Sequence, residues 1–406
     1  MSTSKSLQML CSAIALCGAS AAIHAAERAR DVGVPFEGIP GSFNAITDVP
    51  GVEVGQVTLI HGDGPLKVGT GPVRTGVTVV LPRGRASAAT VYAGFFDLNG
   101  NGEMTGVSYL QDFGILYGPI GISNTNAIGQ VYAGIMQWTQ AKFGEASTPV
   151  VAETFDGRLN DLGGFHVHPE HAIDALEAAK SGALEEGNVG GGTGMVCFGF
   201  KGGIGTASRQ VVVGAAHYMV GVLVQCNTGD RTTLRIAGAP VGQEFAHRWL
   251  PCYVPSLAPP DKKPPCAAES TAGKPPADSG SIIIVVATDA PLIPTQLNRV
   301  AKRAALGLAR LGSYAGNSSG DLIVSFTTSG VANHPEQKAP SPIAQIASDA
   351  IDPLFKGTVE ATEEAIVNAL IAADTMTGID GHRFYRLPHD ELRALLKRYG
   401  RLAVTR

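Results

Sequence analysis

Charge is what this sequence has least of. Lys, Arg, Asp and Glu make up only 16% of its 406 residues, the formal net charge is -4, and no basic run is longer than a few residues. A nucleic-acid partner needs a concentrated cationic face, so none is expected. Long apolar stretches are missing as well. The best candidate, "VVVGAAHYMVGVLVQ", is too short to cross a bilayer and contains His217, so no membrane span is expected. "GNVGGGTGM" lacks the following Lys-Ser/Thr of a phosphate cradle; its glycines, Gly190 to Gly192 among them, read as close backbone packing beside a substrate cleft. "HVHPEH" gathers His166, His168, Glu170 and His171, but three histidines beside a proline at a helix start are a weak metal signal, and no metal or other cofactor is expected.

Hydrophobic residues, by contrast, reach 44%, enough to bury a large core as one domain or two. The first 26 residues stand apart. Lys5 precedes a largely apolar, small-residue stretch from Leu7 to Ile23, and Ala25 or Ala26 offers a cleavage point. This pattern predicts a signal peptide at 1–26 and a periplasmic or secreted protein. Its removal leaves four of the six cysteines. Cys252 and Cys266 flank a proline-rich segment and can close a small loop in an oxidising compartment. Cys197 and Cys226 lie in apolar, strand-like sequence and read as buried, inert thiols.

Strand-like runs dominate the first half: "ITDVPGVEVGQVTLI", "GVTVVLP", "ATVYAGFF" and "TPVVAETF" are rich in β-branched residues between turn signals. "PEHAIDALEAAKSGALEEG" reads as a helix from Pro169 to Gly187. Farther on, "SIIIVVAT" reads as a strand buried on both faces. "IPTQLNRVAKRAALGLARLG" puts Leu297, Val300, Ala301, Ala304, Leu308 and Leu311 on one helical stripe. "DLIVSFTT" gives another strand and "TEEAIVNALIAAD" another helix. The expected class is mixed α/β, with helices packed on sheet layers.

One seam interrupts this order. Residues 251–280 hold 8 of the 25 prolines and show no hydrophobic periodicity, which predicts a mobile surface insertion. It ends at Gly280, directly before the strand that Ser281 opens. On its own a Gly-Ser pair marks a turn, and a proline-rich segment marks a linker. The position suggests more: a cut there would make Ser281 an N-terminal residue held at a strand's end.

Seven motifs give that cut a context. "NAITDVPGVEVGQVTL", "DLNGNGEMTG", "PIGISNTNAIG", "VVAETFDGRLND", "GNVGGGTGMVC", "GSIIIVVATDAPL" and "LPHDEL" occur in this order. Together they resemble the L-aminopeptidase/D-esterase and β-peptidyl aminopeptidase family of self-cleaving serine peptidases, over nearly everything from Asp31 to the C-terminus. The resemblance implies a four-layer αββα sandwich, cleavage of the Gly280–Ser281 bond, and use of Ser281 as N-terminal nucleophile. Residues 27–280 and 281–406 would then be two chains of one domain, staying associated. An assembly of several copies of the cleaved pair is also implied.

The chemistry fits the implied role. A serine hydroxyl is a poor nucleophile at neutral pH and needs a base, and a freed α-amine with a pKa near ~8 can supply one. Gly280 suits the cut because a residue without a side chain tolerates the strained presentation of its carbonyl. The resemblance assigns Ser319 and Asp321 of "NSSGDLIVSF" as partners, Ser319 bonded to Ser281 and Asp321 balancing the new ammonium. Some relatives carry glutamate at the latter position. It assigns Asn227 as donor to the oxyanion. Without the resemblance, "NSSGD" and "NTGD" would read as turns. An aminopeptidase must also hold a free ammonium, which favours an enclosed carboxylate. Glu153 and Asp156 offer one, with Phe155 as apolar wall; some relatives present an aromatic hydroxyl near this place, and Phe155 has none. The expected activity is a serine aminopeptidase acting on short peptides, amides or esters. Readings as a β-peptidyl aminopeptidase or a D-amino-acid amidase or esterase stay open, and so does a non-cleaving binding module on the same fold.

Overall fold

The structure, a computed structural model, describes residues 27–267, 280–330 and 342–403. The expected leader at 1–26 and residues 268–279 of the proline-rich segment lie outside the described residues.

Two sheets stack face to face. One contains β1 (Glu53–His61), β2 (Val73–Leu81), β5 (Ile120–Asn124) and β6 (Val150–Thr154), in that order. The other runs β4 (Ile115–Leu116), β3 (Val91–Gly100), β10 (Gly320–Thr327), β9 (Ser281–Thr288), β8 (Ala216–Asn227) and β7 (Gly203–Val213). Helices α1 (Ile128–Phe143) and α2 (Pro169–Ala178) share a core with the outer face of the first sheet, through Val77, Val79, Val131, Ile135 and Ala172. Helices α3 (Pro294–Arg310), α4 (Asp352–Ile371) and α5 (His389–Arg398) do the same for the second. The result is the expected four-layer αββα sandwich.

The side-chain alternation of β9 shows why the layers form. All eight of its residues are buried. Ile282, Ile284 and Val286 join the core shared with α3 and α4, whereas Ile283, Val285 and Ala287 join the core between the sheets. A strand sandwiched this way must be apolar on both faces, so its period-2 signal vanishes into a continuous β-branched run. The stripe predicted on α3 is buried in full. The glycine-rich turn packs between layers: a Cβ on Gly191 would lie 2.2 Å from Gln225 Oε1 and 2.6 Å from the Ile122 carbonyl.

Four expectations need correction. The helix from Pro169 ends at Ala178, because Lys180 leaves it to pair with Val54 as an added strand bridge. The helix read from "TEEAIVNALIAAD" begins earlier, at Asp352, with proline in its first turn. The described part of the proline-rich segment, 251–267, is built into the fold: Cys252–Tyr253 pairs with His382–Arg383, Tyr253 stacks on His382 with ring centroids 4.6 Å apart, and Cys252 is bonded to Cys266. Composition alone misses this, since the order comes from a distant strand and a covalent link. Finally, Cys197 and Cys226 are not separate thiols but a disulfide. Among the described residues no helix is long and apolar enough to cross a membrane; "VVVGAAHYMVGVLVQ" is instead the turn of the β7–β8 hairpin with its flanking strands.

Candidate active site

The ends of three neighbouring strands meet at Ser281. In antiparallel register Ser281 faces Asn227, the last residue of β8; in parallel register it faces Gly320, the first of β10. The parallel pair requires a crossover, which α3 supplies. Ser281 Oγ accepts a hydrogen bond from the Gly320 N–H at 3.2 Å, and only 6% of the residue is exposed. The serine hydroxyl is therefore oriented by backbone before any substrate arrives.

Gly280 is pressed against the neighbouring strand. A Cβ there would stand 1.7 Å from the Asn227 carbonyl oxygen and 3.1 Å from Thr228 Cα. No other residue fits without moving the strand end. The Asn227 side chain is also tied down: Oδ1 accepts from the Val196 N–H at 2.8 Å, and Nδ2 donates to the Phe155 carbonyl at 3.0 Å. An amide nitrogen carries two hydrogens, so one remains for an incoming oxygen.

On the β10 side, Ser319 Oγ donates to Asp321 Oδ1 at 2.7 Å and lies 3.2 Å from Thr228 Oγ1. Both Ser319 and Asp321 are fully buried. Asn99 and Asn101 hold the turn that delivers Ser319: Asn99 Nδ2 donates to the Gly316 and Ser319 carbonyls and Asn101 Nδ2 to the Ser318 carbonyl. Glu153, at the end of β6, reaches the same region. Gly102 separates it from β10, since a Cβ on Gly102 would lie 3.2 Å from Glu153 Oε1 and 3.4 Å from Gly320 Cα. Burial raises the Glu153 pKa above the usual carboxylate range, while hydrogen bonds from the Thr125 hydroxyl and the Glu103 N–H oppose the shift. A buried carboxylate of this kind gains most from an arriving cation.

The sequence of residues 44–384 matches the pattern of peptidase family S58. This chain belongs to that family. It is 52% identical over 393 residues to a β-peptidyl aminopeptidase, BapA, of Sphingosinicella microcystinivorans, covering 96% of each chain. With the BapA of Sphingosinicella xenopeptidilytica it shares 47% over 400 residues, 97% of this chain and 96% of the relative. The solved L-aminopeptidase D-Ala-esterase/amidase of Ochrobactrum anthropi, described as a variant of the Ntn (N-terminal nucleophile) hydrolase fold, superposes with a TM-score of 0.81 at 40% identity, covering 93% of this chain and 99% of that one. The protein is thus a hydrolase, an aminopeptidase built on the Ntn-hydrolase fold.

Within this S58 peptidase the eight residues singled out from sequence fall into distinct places. Gly280, Ser281, Asn227, Ser319 and Asp321 come together at the strand ends. Ser319 donates its hydroxyl to Asp321 and so accepts from Thr228, rather than bonding to Ser281, whose Oγ accepts from the Gly320 N–H. Of the three residues expected at the substrate, Glu153 lies beside β10 and Phe155 is 41% exposed. Asp156 differs: it is wholly buried, bonded by Asn160 Nδ2 at 3.0 Å, and burial pushes its pKa up to about 7 against hydrogen bonds from Thr75, Asn160 and Asn124. It anchors the loop after β6. Sequence reasoning missed Asn99, Asn101, Thr228, Thr125 and Val196. The first two stand in the "DLNGNG" motif, whose asparagines were a visible signal without an assigned role; a backbone donor such as Val196 leaves none. The histidines are otherwise engaged, His166 with Asp161 at 2.8 Å and His171 Nδ1 with the His168 N–H at 3.0 Å. A cavity of about 630 Å³ lined by Arg83, Tyr109, Tyr117, Trp138 and Phe143 also takes in Val91, which starts β3, so it lies at the opposite end of that strand from Gly100 and Gly320.

Proposed function

We propose that this protein is an exported, self-cleaving β-peptidyl aminopeptidase whose nucleophile is Ser281. The observation that carries the reading is the seam itself: a glycine that admits no Cβ, followed by a buried, oriented serine at the meeting of β8, β9 and β10. The near full-length similarity to two β-peptidyl aminopeptidases supports the substrate class.

In the uncut chain Ser281 Oγ attacks the Gly280 carbonyl carbon. The peptide C–N bond breaks as the C–O ester forms, the departing nitrogen takes the hydroxyl proton, and water then hydrolyses the ester. The products are a Gly280 carboxylate and a free Ser281 amine, with the two chains held together because β9 pairs with β8 and β10 with β3 of the other chain. In the cleaved enzyme that amine acts as base for its own hydroxyl. Ser319 relays the proton and Asp321 balances the ammonium. Asn227 Nδ2 donates its remaining hydrogen to the tetrahedral oxyanion, a contribution of about 10²–10³ in kcat for a comparable donor. Glu153 binds the substrate's ammonium, and Phe155 walls the side chain. The acyl group on Ser281 is finally released by water.

A panel of β-amino, α-amino and D-amino acyl p-nitroanilides, run with the wild type and with Ser281→Ala, tests this. The β-amino substrates should be cleaved with the highest kcat/KM and Ser281→Ala should cleave none. Preference for D-alanyl substrates would favour the second reading, an esterase or amidase, to which the likeness to the Ochrobactrum anthropi enzyme points. A Ser281→Ala variant that keeps wild-type activity would remove Ser281 from the mechanism.

A further inference from the structure

We infer that the Cys197–Cys226 disulfide is a positioning clamp for the oxyanion donor, and that Val196 is the residue through which it acts. The inference rests on the reading of Asn227 given above, but on different observations. Three consecutive residues of one segment are fastened to three consecutive residues at the end of β8. The Val196 N–H donates to Asn227 Oδ1 at 2.8 Å, Cys197 is bonded to Cys226, and the Phe198 N–H donates to the Thr228 carbonyl at 2.6 Å. All six residues are buried.

The first link fixes which way the amide points. A backbone N–H can only donate, so the Asn227 atom facing Val196 must be its oxygen, and the nitrogen must take the other side. If Val196 withdrew, the amide would be free to rotate about its last bond, and an oxygen turned toward the oxyanion would repel the charge it is meant to hold. The other two links, together with the antiparallel pairing of Val196 with Lys201, keep Val196 in place. Phe198 adopts a left-handed backbone, φ 47°, which a bulky residue holds only where its surroundings over-determine it. Here the disulfide on one side and the Thr228 carbonyl on the other do so, and Gly229 makes room for the ring, since a Cβ there would lie 2.4 Å from it. Cys252–Cys266, in contrast, ties the segment that pairs with His382–Arg383; Cys252 Sγ lies 3.3 Å from the Tyr385 hydroxyl, and the Asn227 side chain bonds instead to Val196 and Phe155.

The test uses the full-length, processed enzyme with β-alanyl p-nitroanilide as substrate, kcat being normalised to the cleaved fraction measured by intact mass. Cys197→Ser/Cys226→Ser should lower kcat about 10²-fold, the size expected when a catalytic group shifts by about 1 Å, with KM unchanged. Cys252→Ser/Cys266→Ser should keep wild-type kcat, which a general loss of stability in disulfide-free protein would not predict. Added to Asn227→Ala, the Cys197/Cys226 change should cost nothing further, since the clamp acts only through that side chain. An unchanged kcat, or a loss that multiplies with that of Asn227→Ala, overturns the inference. Should the double variant fail to fold, Val196→Pro decides: it deletes the N–H and leaves both cysteines, and an unaltered kcat there is equally contrary. The Asn227→Ala arm alone reports on the oxyanion reading, so the two ideas fail separately.

Discussion

Replacing Gly280 by alanine should stall self-cleavage while leaving the sandwich intact. The added Cβ would sit 1.7 Å from the Asn227 carbonyl oxygen, 2.7 Å from its carbonyl carbon and 3.1 Å from Thr228 Cα. Relief to the shortest contact that real Cβ atoms make, 3.0 Å, demands a movement of about 1.3 Å. Asn227 opposes Ser281 in the β8–β9 ladder, so this movement falls on the proposed scissile bond and the proposed oxyanion donor at once. A displacement of about 1 Å in a reacting group costs roughly 10²-fold in rate, and cleavage should slow by at least that much. The overpacking itself should cost about 1–3 kcal/mol of stability, which a core of this size tolerates. Cleavage is followed by intact mass after a pulse of cell-free synthesis. Gly129→Ala serves as control, because a Cβ at Gly129 meets nothing within 4 Å. If Gly280→Ala matures at the wild-type rate, the close approach has no part in the reaction and the reasoning from the seam fails.

Other consequences follow from the carboxyl groups and the asparagines. Glu153→Gln should raise KM about 10–100-fold, the loss of one charge-assisted bond of roughly 1.5–3 kcal/mol, with a smaller change in kcat. Because burial lifts the Glu153 pKa, wild-type kcat/KM should fall on the acid side at a pH above the ordinary carboxylate range, and that limb should vanish in the variant. Asp156 has its pKa raised from 3.8 to about 7 by burial. Its folded value exceeds its unfolded one, so its contribution is full below about pH 4 and is lost as pH rises through about 7. The span of about three pH units is on the order of 4 kcal/mol. Urea melts at pH 5 and pH 8 should therefore show a smaller loss of stability in Asp156→Asn than in the wild type; equal losses would remove Asp156 as the source. Asn99→Ala should slow cleavage by freeing the turn before Ser319, a result to be compared by the same mass assay with an exposed substitution such as Lys397→Ala.

How much of this was legible depended on the range of the interactions. "SIIIVVAT" announced a strand buried on both faces, and the stripe on α3 announced its packing, because each pattern is local. The meeting of Asn227, Ser281 and Ser319 was reached only through resemblance, since no spacing rule joins residues on three different strands. The order of 251–267 was hidden because it depends on pairing with His382–Arg383, far along the chain. The Cys197–Cys226 bond was hidden for the same reason: both cysteines sit in apolar sequence, and only the return of β8 past the 196–198 segment brings them within 5.5 Å at Cα. Asp156 looked like a substrate contact because carboxylates at strand ends are commonly exposed; that it is buried among Thr75, Asn124 and Asn160 depends on three segments folding over it. Lys180 illustrates the limit for boundaries, since it left a helical pattern for a bridge to Val54 that no local signal marks.

The most direct test is the chemical nature of the purified, active protein. N-terminal sequencing and intact mass should find a 126-residue chain that begins Ser281-Ile282-Ile283, co-purifying with the remainder, and Ser281→Ala should yield a single uncut chain. A wild-type protein that hydrolyses β-amino acyl substrates at full rate while its Gly280–Ser281 bond remains whole would contradict the account.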